Sequence, residues 1–271
     1  MPKFIVVSDL HLVPDPEELS CTLNPAKRLH QAVDHINETH PDAAFCVFAG
    51  DLADDAARGA YDVLKGGTDR LAMPSYPTMG NHDDRALFAE VYPQHVNEET
   101  GRIDHVLDLD GCRVIVLDTL KVGDDAGEMS DVQFEWLDAR LAEVRETPVV
   151  VVSHHGIANV GTPLDFISFT QKERLAEILT RYGNVRQIIS GHVHLSTAGV
   201  WLGIPFTTIA GSHYTIHPSL KGPIPDIPRR AGPAQMAVVL TSPEGIVVHH
   251  ENFVDGNDLL PAEFFRWDPD N

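Results

Sequence analysis

Phe4-Ile5-Val6-Val7-Ser8-Asp9-Leu10-His11 opens with four consecutive apolar residues and ends in Asp-x-His. A short, unbroken apolar run reads as a strand buried on both faces. A carboxylate and an imidazole just after it would stand at the strand's C-terminal end, the rim on which open α/β sheets build ligand sites. The same arrangement recurs four times. Phe45-Cys46-Val47-Phe48 leads into Gly50-Asp51, Tyr76 to Met79 into Gly80-Asn81-His82-Asp83, Val149-Val150-Val151-Val152 into His154-His155, and Val185 to Ile189 into Gly191-His192-Val193-His194. Strands of one sheet would deliver all these side chains to a common rim.

The intervening segments alternate with the strands. Asn24-Pro25 starts a helix on which Leu29, Ala32, Val33 and Ile36 recur at helical spacing. Helical patterns follow around Ala56 to Leu64 and Asp84 to Val91, and Asp110-Gly111 turns a hairpin between Val106 to Leu109 and Arg113 to Leu117. Ser130 and Gln133 are spaced as a capping box for a helix carrying Phe134, Leu137 and Leu141. A further helix is expected over Gln171 to Tyr182. The final third is strand-rich, with Gly199 to Ile209, Gln235 to Thr241 and Ile246 to His250 as strands. Gly211 to Pro233 is rich in Pro and Gly and reads as an irregular loop, a candidate cover for the site or a subunit contact, carrying His213, Tyr214 and His217. This order fits an α/β fold of two packed sheets with helices outside.

Asp, His and Asn together are the donors that two adjacent divalent ions require: oxygen and nitrogen ligands, one carboxylate able to bridge, and positions left open for water and substrate. Each motif alone has an ordinary explanation, since Gly-Asp and Gly-Asn pairs are common turn signals. Five in order, each after a strand, are not explained as turns.

The ordered set Asp-x-His, Gly-Asp, Gly-Asn-His-Asp, His-His, Gly-His-x-His resembles the calcineurin-like metallophosphoesterase superfamily. The stretch Asn184 to His194, the strand-like start and the overall length resemble its bacterial class III cyclic-nucleotide and glycerophosphodiester phosphodiesterases. That resemblance implies a four-layer αββα sandwich with two mixed sheets and two divalent transition-metal ions per chain (Mn, Fe, Co or Zn). It implies Asp9, His11 and His194 on one metal, Asn81, His154 and His192 on the other, and Asp51 bridging. His82 would lie beside the site without binding metal, acting on the scissile phosphate or the leaving group, with Asp83 orienting it. His155 and, from the irregular loop, His213 are expected near substrate. The reaction implied is metal-assisted hydrolysis of a small phosphodiester, a 3′,5′- or 2′,3′-cyclic nucleotide first and a glycerophosphodiester second. A catalytically inactive binding scaffold of the same fold is the alternative from another class; against it, all seven expected ligands are present.

Three departures narrow the resemblance. Purple acid phosphatases place a Tyr ligand three residues after the bridging Asp, where this chain has Asp54. Ser/Thr protein phosphatases carry an Arg before Gly-Asn-His that grips a terminal phosphate through a bidentate fork, and here that position is Met79. Its absence favours a monoanionic diester over a dianionic monoester. Gly156 and Ile157 stand where class III members often have Pro-Pro, so the loop Gly156 to Phe169 is expected to shape a pocket of its own.

Composition sets outer limits. With 271 residues, 43% of them hydrophobic, the chain can bury a large core. Residues 1–254 are read as the metallophosphoesterase domain and 255–271 as an acidic tail whose Phe264, Phe265 and Trp267 would dock on the body or on a second subunit of a homo-oligomer. Twenty Lys and Arg against forty Asp and Glu give −20, without a basic run able to track a phosphate backbone, so duplex nucleic acid is a poor partner. Cys21, Cys46 and Cys112 are too scattered for a disulfide framework. With only Met1-Pro2-Lys3 before Phe4, no signal peptide is expected, and the apolar runs fall short of the ~18 residues of a membrane span. The expectation is a cytoplasmic protein without membrane contact.

Overall fold

The computed structural model describes residues 1–14, 23–222 and 227–254. Cys21 and the tail aromatics Phe264, Phe265 and Trp267 lie outside the described residues.

Strand β1 (Lys3–Val7) pairs in parallel with β2 (Cys46–Ala49), which pairs in parallel with β3 (Ser75–Thr78). On its other side β1 runs antiparallel to the late strand Ala234–Ser242, itself paired with Gly245–Val254, which completes a five-stranded mixed sheet. The second sheet has six strands: β4 (His105–Leu109), β5 (Cys112–Leu117), β6 (Val149–Ser153), β7 (Val185–Ser190), then β9 (Ile204–Thr208) and, at the edge, β8 (Thr197–Trp201). β5, β6, β7 and β9 are mutually parallel.

Side-chain alternation assigns the layers. In β1, Ile5 and Val7 pack with Leu29, Val33, Tyr61 and Phe88, residues of α1 (Pro25–Thr39), α2 (Arg58–Thr68) and α3 (Arg85–Val91). The alternate residues Phe4 and Val6 face Val114, Val116, Val150 and Val152 of the other sheet. In β6, Val149 and Val151 turn outward onto Phe134, Leu137, Leu175 and Leu179 of α4 (Asp131–Ala142) and α5 (Lys172–Arg181). A strand buried on both faces has no polar alternation, which is why these runs read as continuous apolar blocks. The layers are helix, sheet, sheet, helix.

Local chemistry sets the helix starts. Asn24 accepts from the Lys27 amide at 2.9 Å, and Asp84 from the Ala86 and Leu87 amides at 2.8 and 3.0 Å. Ser130 and Gln133 form the reciprocal capping box. Each such cap stabilises its helix by about 1 kcal/mol. One expectation fails: Gly199 to Ile209 is a hairpin, not one strand. It reverses at Leu202 and Gly203, with φ of 51° and 86°, the left-handed pair a two-residue turn demands. Leu at the first turn position hides that signal. The irregular loop holds one small ladder, Thr215–Ile216 (β10) against Arg229–Arg230 (β11). In chain order the two late strands of the first sheet are β12 and β13.

Candidate metal centre

The parallel strands end on one rim, and the chain turns sharply as it leaves each. Among the described residues seven non-glycine positions have positive φ, and five are Asp9 (57°), His11 (49°), Asp51 (48°), His192 (71°) and His194 (49°). A left-handed backbone costs an L-residue roughly 1–2 kcal/mol, so the surroundings must enforce it. They do so by bonding loop to loop: Asp9 N–H to Gly50 O at 3.1 Å, His11 N–H to Asp51 O at 2.9 Å, and His192 N–H to Asp9 Oδ1 at 3.0 Å. Gly80 and Gly191 allow the closest approaches. A β-carbon at Gly80 would overlap the Asp51 carboxylate and amide, and one at Gly191 would strike Ser8 Oγ.

The side chains held this way converge on two points. His194 Nε2 lies 3.2 Å from His11 Nε2 and 3.4 Å from Asp9 Oδ1. His154 Nε2 lies 3.1 Å from His192 Nδ1 and 3.2 Å from Asn81 Oδ1. Asp51 spans both groups, Oδ2 at 3.7 Å from His11 Nε2 and Oδ1 at 3.3 Å from His154 Nε2. With metal–ligand bonds of about 2.0–2.2 Å, neighbouring donors around a tetrahedral or octahedral ion stand about 2.9–3.6 Å apart, the spacing found here for every pair but Asp51 Oδ2 and His11 Nε2, which at 3.7 Å lies just beyond it.

The protons of these histidines point elsewhere. His154 Nδ1 donates to Ala49 O at 2.9 Å, His192 Nε2 to Ile167 O at 3.0 Å, His194 Nδ1 to Tyr214 O at 2.7 Å, and His11 Nδ1 to the Asp54 carboxylate at 2.9 Å. Carbonyl and carboxylate oxygens only accept, so in each neutral ring the nitrogen left facing the centre carries a lone pair. Lone pairs do not hydrogen-bond one another; paired at 3.1–3.2 Å they stand as two ligands of one cation would. Asp9 Oδ2, fully buried and without a hydrogen-bond partner among the described residues, is open to the same cation. The donor set fits two divalent ions.

Other expected residues take different places. His82 is part-exposed and lines the cavity over the centre. Its amide donates to Asp51 Oδ1 at 3.0 Å, and its Nδ1 donates to Asp54 O at 2.6 Å. Asp83 does not touch the His82 ring. It is buried and accepts from the amides of Leu52, Ala53 and Gly80 and from Tyr61 Oη, at 2.9–3.2 Å, so it staples the loop after β2 to the loop after β3. Burial and Asp51 push its carboxyl up to about 6. The orienting contact expected of Asp83 is made by Asp54 instead. His155 is fully buried behind His154 and His192, with Nδ1 on Thr119 Oγ1 at 2.7 Å, and does not line the cavity. The His213 ring sits 5.8 Å from that of His11, also off the cavity wall; its neighbour Tyr214 lines it, stacked on His194 at 4.0 Å.

The cavity, about 200 Å³, is closed by side chains the motifs do not contain: Asp125, Leu164, Phe166, Ile167, Ile216 and Arg229. Arg229 belongs to β11 and is the sole Lys or Arg in the described lining. The Arg229-Arg230 pair, basic in an acidic chain, was the available signal. Arg229 weakens the case against monoesters made from Met79, because a guanidinium reaches the site from another segment.

Residues 2–196 match the family described as calcineurin-like phosphoesterase. The chain is 31% identical over 262 residues, 95% of each protein, to a "Probable cyclic nucleotide phosphodiesterase" of Rhodopseudomonas palustris. It is 32% identical over 216 residues, 77% of this chain and 67% of the other, to a "cAMP/cGMP dual specificity phosphodiesterase" of Mycobacterium tuberculosis. A dimetal phosphatase of Danio rerio superimposes with a TM-score of 0.71 at 16% identity, covering 94% of this chain and 97% of that one. At that identity the likeness concerns the fold.

Proposed function

Because the chain belongs to the calcineurin-like phosphoesterase family, we propose that it is a dinuclear metal-dependent phosphodiesterase hydrolysing small phosphodiesters, with 3′,5′- or 2′,3′-cyclic nucleotides as the preferred class. The observation that carries the dinuclear assignment is the Asp51 carboxylate, one oxygen toward each group of lone-pair-bearing donors. Asp9, His11 and His194 would hold one ion, Asn81, His154 and His192 the other. When bound, the two ions supply Lewis-acid polarisation of the phosphoryl group and a water of lowered pKa as nucleophile.

The chain's own residues provide the remainder. Asp54 O holds Nδ1–H of His82, so its Nε2 is the nitrogen available to the departing alkoxide; as an imidazolium the ring would donate a proton there, where charge accumulates. Asp83 acts through backbone, fixing Gly80 and therefore Asn81 and His82. Arg229 offers a cation to the phosphate or to the new terminal oxygen of the product. The resemblance to cyclic nucleotide phosphodiesterases supports the substrate class.

The test is kcat/KM at one metal concentration across cyclic nucleotides, glycerophosphocholine, glycerophosphoethanolamine, bis(p-nitrophenyl) phosphate and p-nitrophenyl phosphate, with elemental analysis of the same preparation. Two transition-metal ions per chain and a preference for cyclic diesters are expected. Full activity with at most one ion bound would end the dinuclear mechanism, and a preference for p-nitrophenyl phosphate would assign Arg229 to a monoester clamp. The small-molecule reading agrees with a net charge of −20. Among the described residues no helix is long and apolar enough to cross a membrane.

A further inference from the structure

One wall of the cavity is apolar and unusually well fixed. Leu164, with Ile167 and Ile216 packed against it, forms a small cluster with Val193 and Leu195, which lie between and just after His192 and His194. The 3-10 turn Pro163–Ile167 is bonded on every side: Asp165 accepts from the Val160 and Gly161 amides at 2.7 and 3.0 Å, Ser168 Oγ donates to Asp165 O at 2.6 Å, and Ile167 O receives His192 Nε2. Phe166 stands in the middle of this turn, yet its side chain is turned out and 68% exposed. A single exposed phenylalanine elsewhere would need no explanation. This one lines the same cavity as His82 and Arg229, on a backbone whose next carbonyl orients a metal-facing histidine.

From this geometry we propose that Phe166, flanked by Ile167 and Ile216, is the stacking platform for the nucleobase of a nucleotide whose phosphate lies at the metal centre, with the Asp125 carboxylate on the same rim accepting from the base's N–H groups. The proposal rests on the reading of the centre as a phosphoester site. Size favours a base on the rim: at about 200 Å³ the cavity is below the roughly 300–1,000 Å³ that encloses a drug-sized ligand, so it takes the phosphate end and leaves the rest outside, where the ring is. A flat π-face matches Phe166, and a carboxylate acceptor matches exocyclic amino groups, whereas a glycerol or choline headgroup offers no flat face. A phenylalanine ring left in water forgoes apolar burial, and a stacked base recovers part of it.

The experiment compares AMP with ribose 5-phosphate by calorimetric titration of the metal-reconstituted protein, for wild type, Phe166→Ala and Phe166→Tyr. Base stacking is worth roughly 5- to 150-fold per base by alanine substitution, so wild type should prefer AMP at least about fivefold. Phe166→Ala should bring that ratio toward one, and Phe166→Tyr, which keeps the π-face, should retain it. Equal affinities in wild type, or a preference that survives Phe166→Ala, would overturn the platform even if cyclic nucleotides are hydrolysed. A Phe166-dependent AMP preference without turnover of any diester would keep the platform and remove the hydrolytic reading.

Discussion

Replacing Asp54 with Ala should weaken one metal ion and spare the other. The Asp54 carboxylate accepts from His11 Nδ1 at 2.9 Å and so fixes which nitrogen of His11 faces Asp9 and His194. Removing such an outer partner typically costs 10–100-fold in metal affinity, about 1.4–2.7 kcal/mol. The side chain is 39% exposed, so water can replace part of the lost contact, which puts the expectation at the lower end, near tenfold. The contact to His82 comes from the Asp54 backbone carbonyl and survives the substitution, which separates this variant from a general collapse of the site. Competition titration of the metal-free protein against a chromophoric chelator should give one weakened and one unchanged binding step, with kcat largely recovered at saturating metal. Unchanged affinity at both steps would show that Asp54 does not orient His11. Equal weakening of both would refute the division of ligands into two groups bridged by Asp51.

Asp51→Asn should lose both metal affinity and rate, whereas His82→Ala should keep both ions in elemental analysis and lower kcat by roughly 10²–10⁴-fold; an emptied site in His82→Ala would make that residue a ligand. Gly80→Ala places a methyl group onto Asp51 and His154, so metal binding should fail alongside a destabilisation of about 1–3 kcal/mol, read by chelator competition and urea unfolding. Wild-type metal affinity in that variant would show that the loop can shift freely. Asp104 is buried, and burial with the neighbouring Asp118 pushes its carboxyl up to about 7. A raised carboxyl contributes most below its ordinary value of 3.8 and loses that contribution as pH climbs through about 7. Asp104→Asn, neutral throughout, should therefore gain on wild type as pH rises from about 4 to about 7 in urea unfolding; a difference independent of pH would refute the burial of an ionisable pair there.

What the sequence made legible follows physical lines. The side chains that converge at the rim were readable as a group because each is tied to a local pattern, an apolar strand followed directly by a sharp turn, and such a pattern needs no knowledge of the rest of the chain. Helix starts at Asn24, Asp84 and Ser130 were readable for the same reason. The two loops that wall the cavity were legible as segments, Gly156 to Phe169 and Gly211 to Pro233, but Asp125 and Arg229 were not singled out, because only tertiary packing brings them to the same cavity. Asp83 was misread by proximity: adjacent to His82 in sequence, it turns instead to Leu52, Ala53 and Tyr61. Leu202-Gly203 escaped because a leucine occupied a turn position more often held by Asn, Asp or Gly.

Asp9, Asp51 and Asn81 follow strands of the first sheet, and His154 and His192 follow strands of the second. Neither sheet alone has the donors for either group, since His11 needs His194 and Asn81 needs His154. During synthesis, a nascent chain that has completed only the first βα units holds two carboxylates and no closed coordination shell. On the proposed ligand set, metal capture would become available only once the Gly-His-Val-His turn has emerged and the valine faces of the two sheets have closed on each other. Tight loading of metal would then report that the long-range docking step is finished, and a variant that slows that docking would be seen first as a delay in acquiring metal.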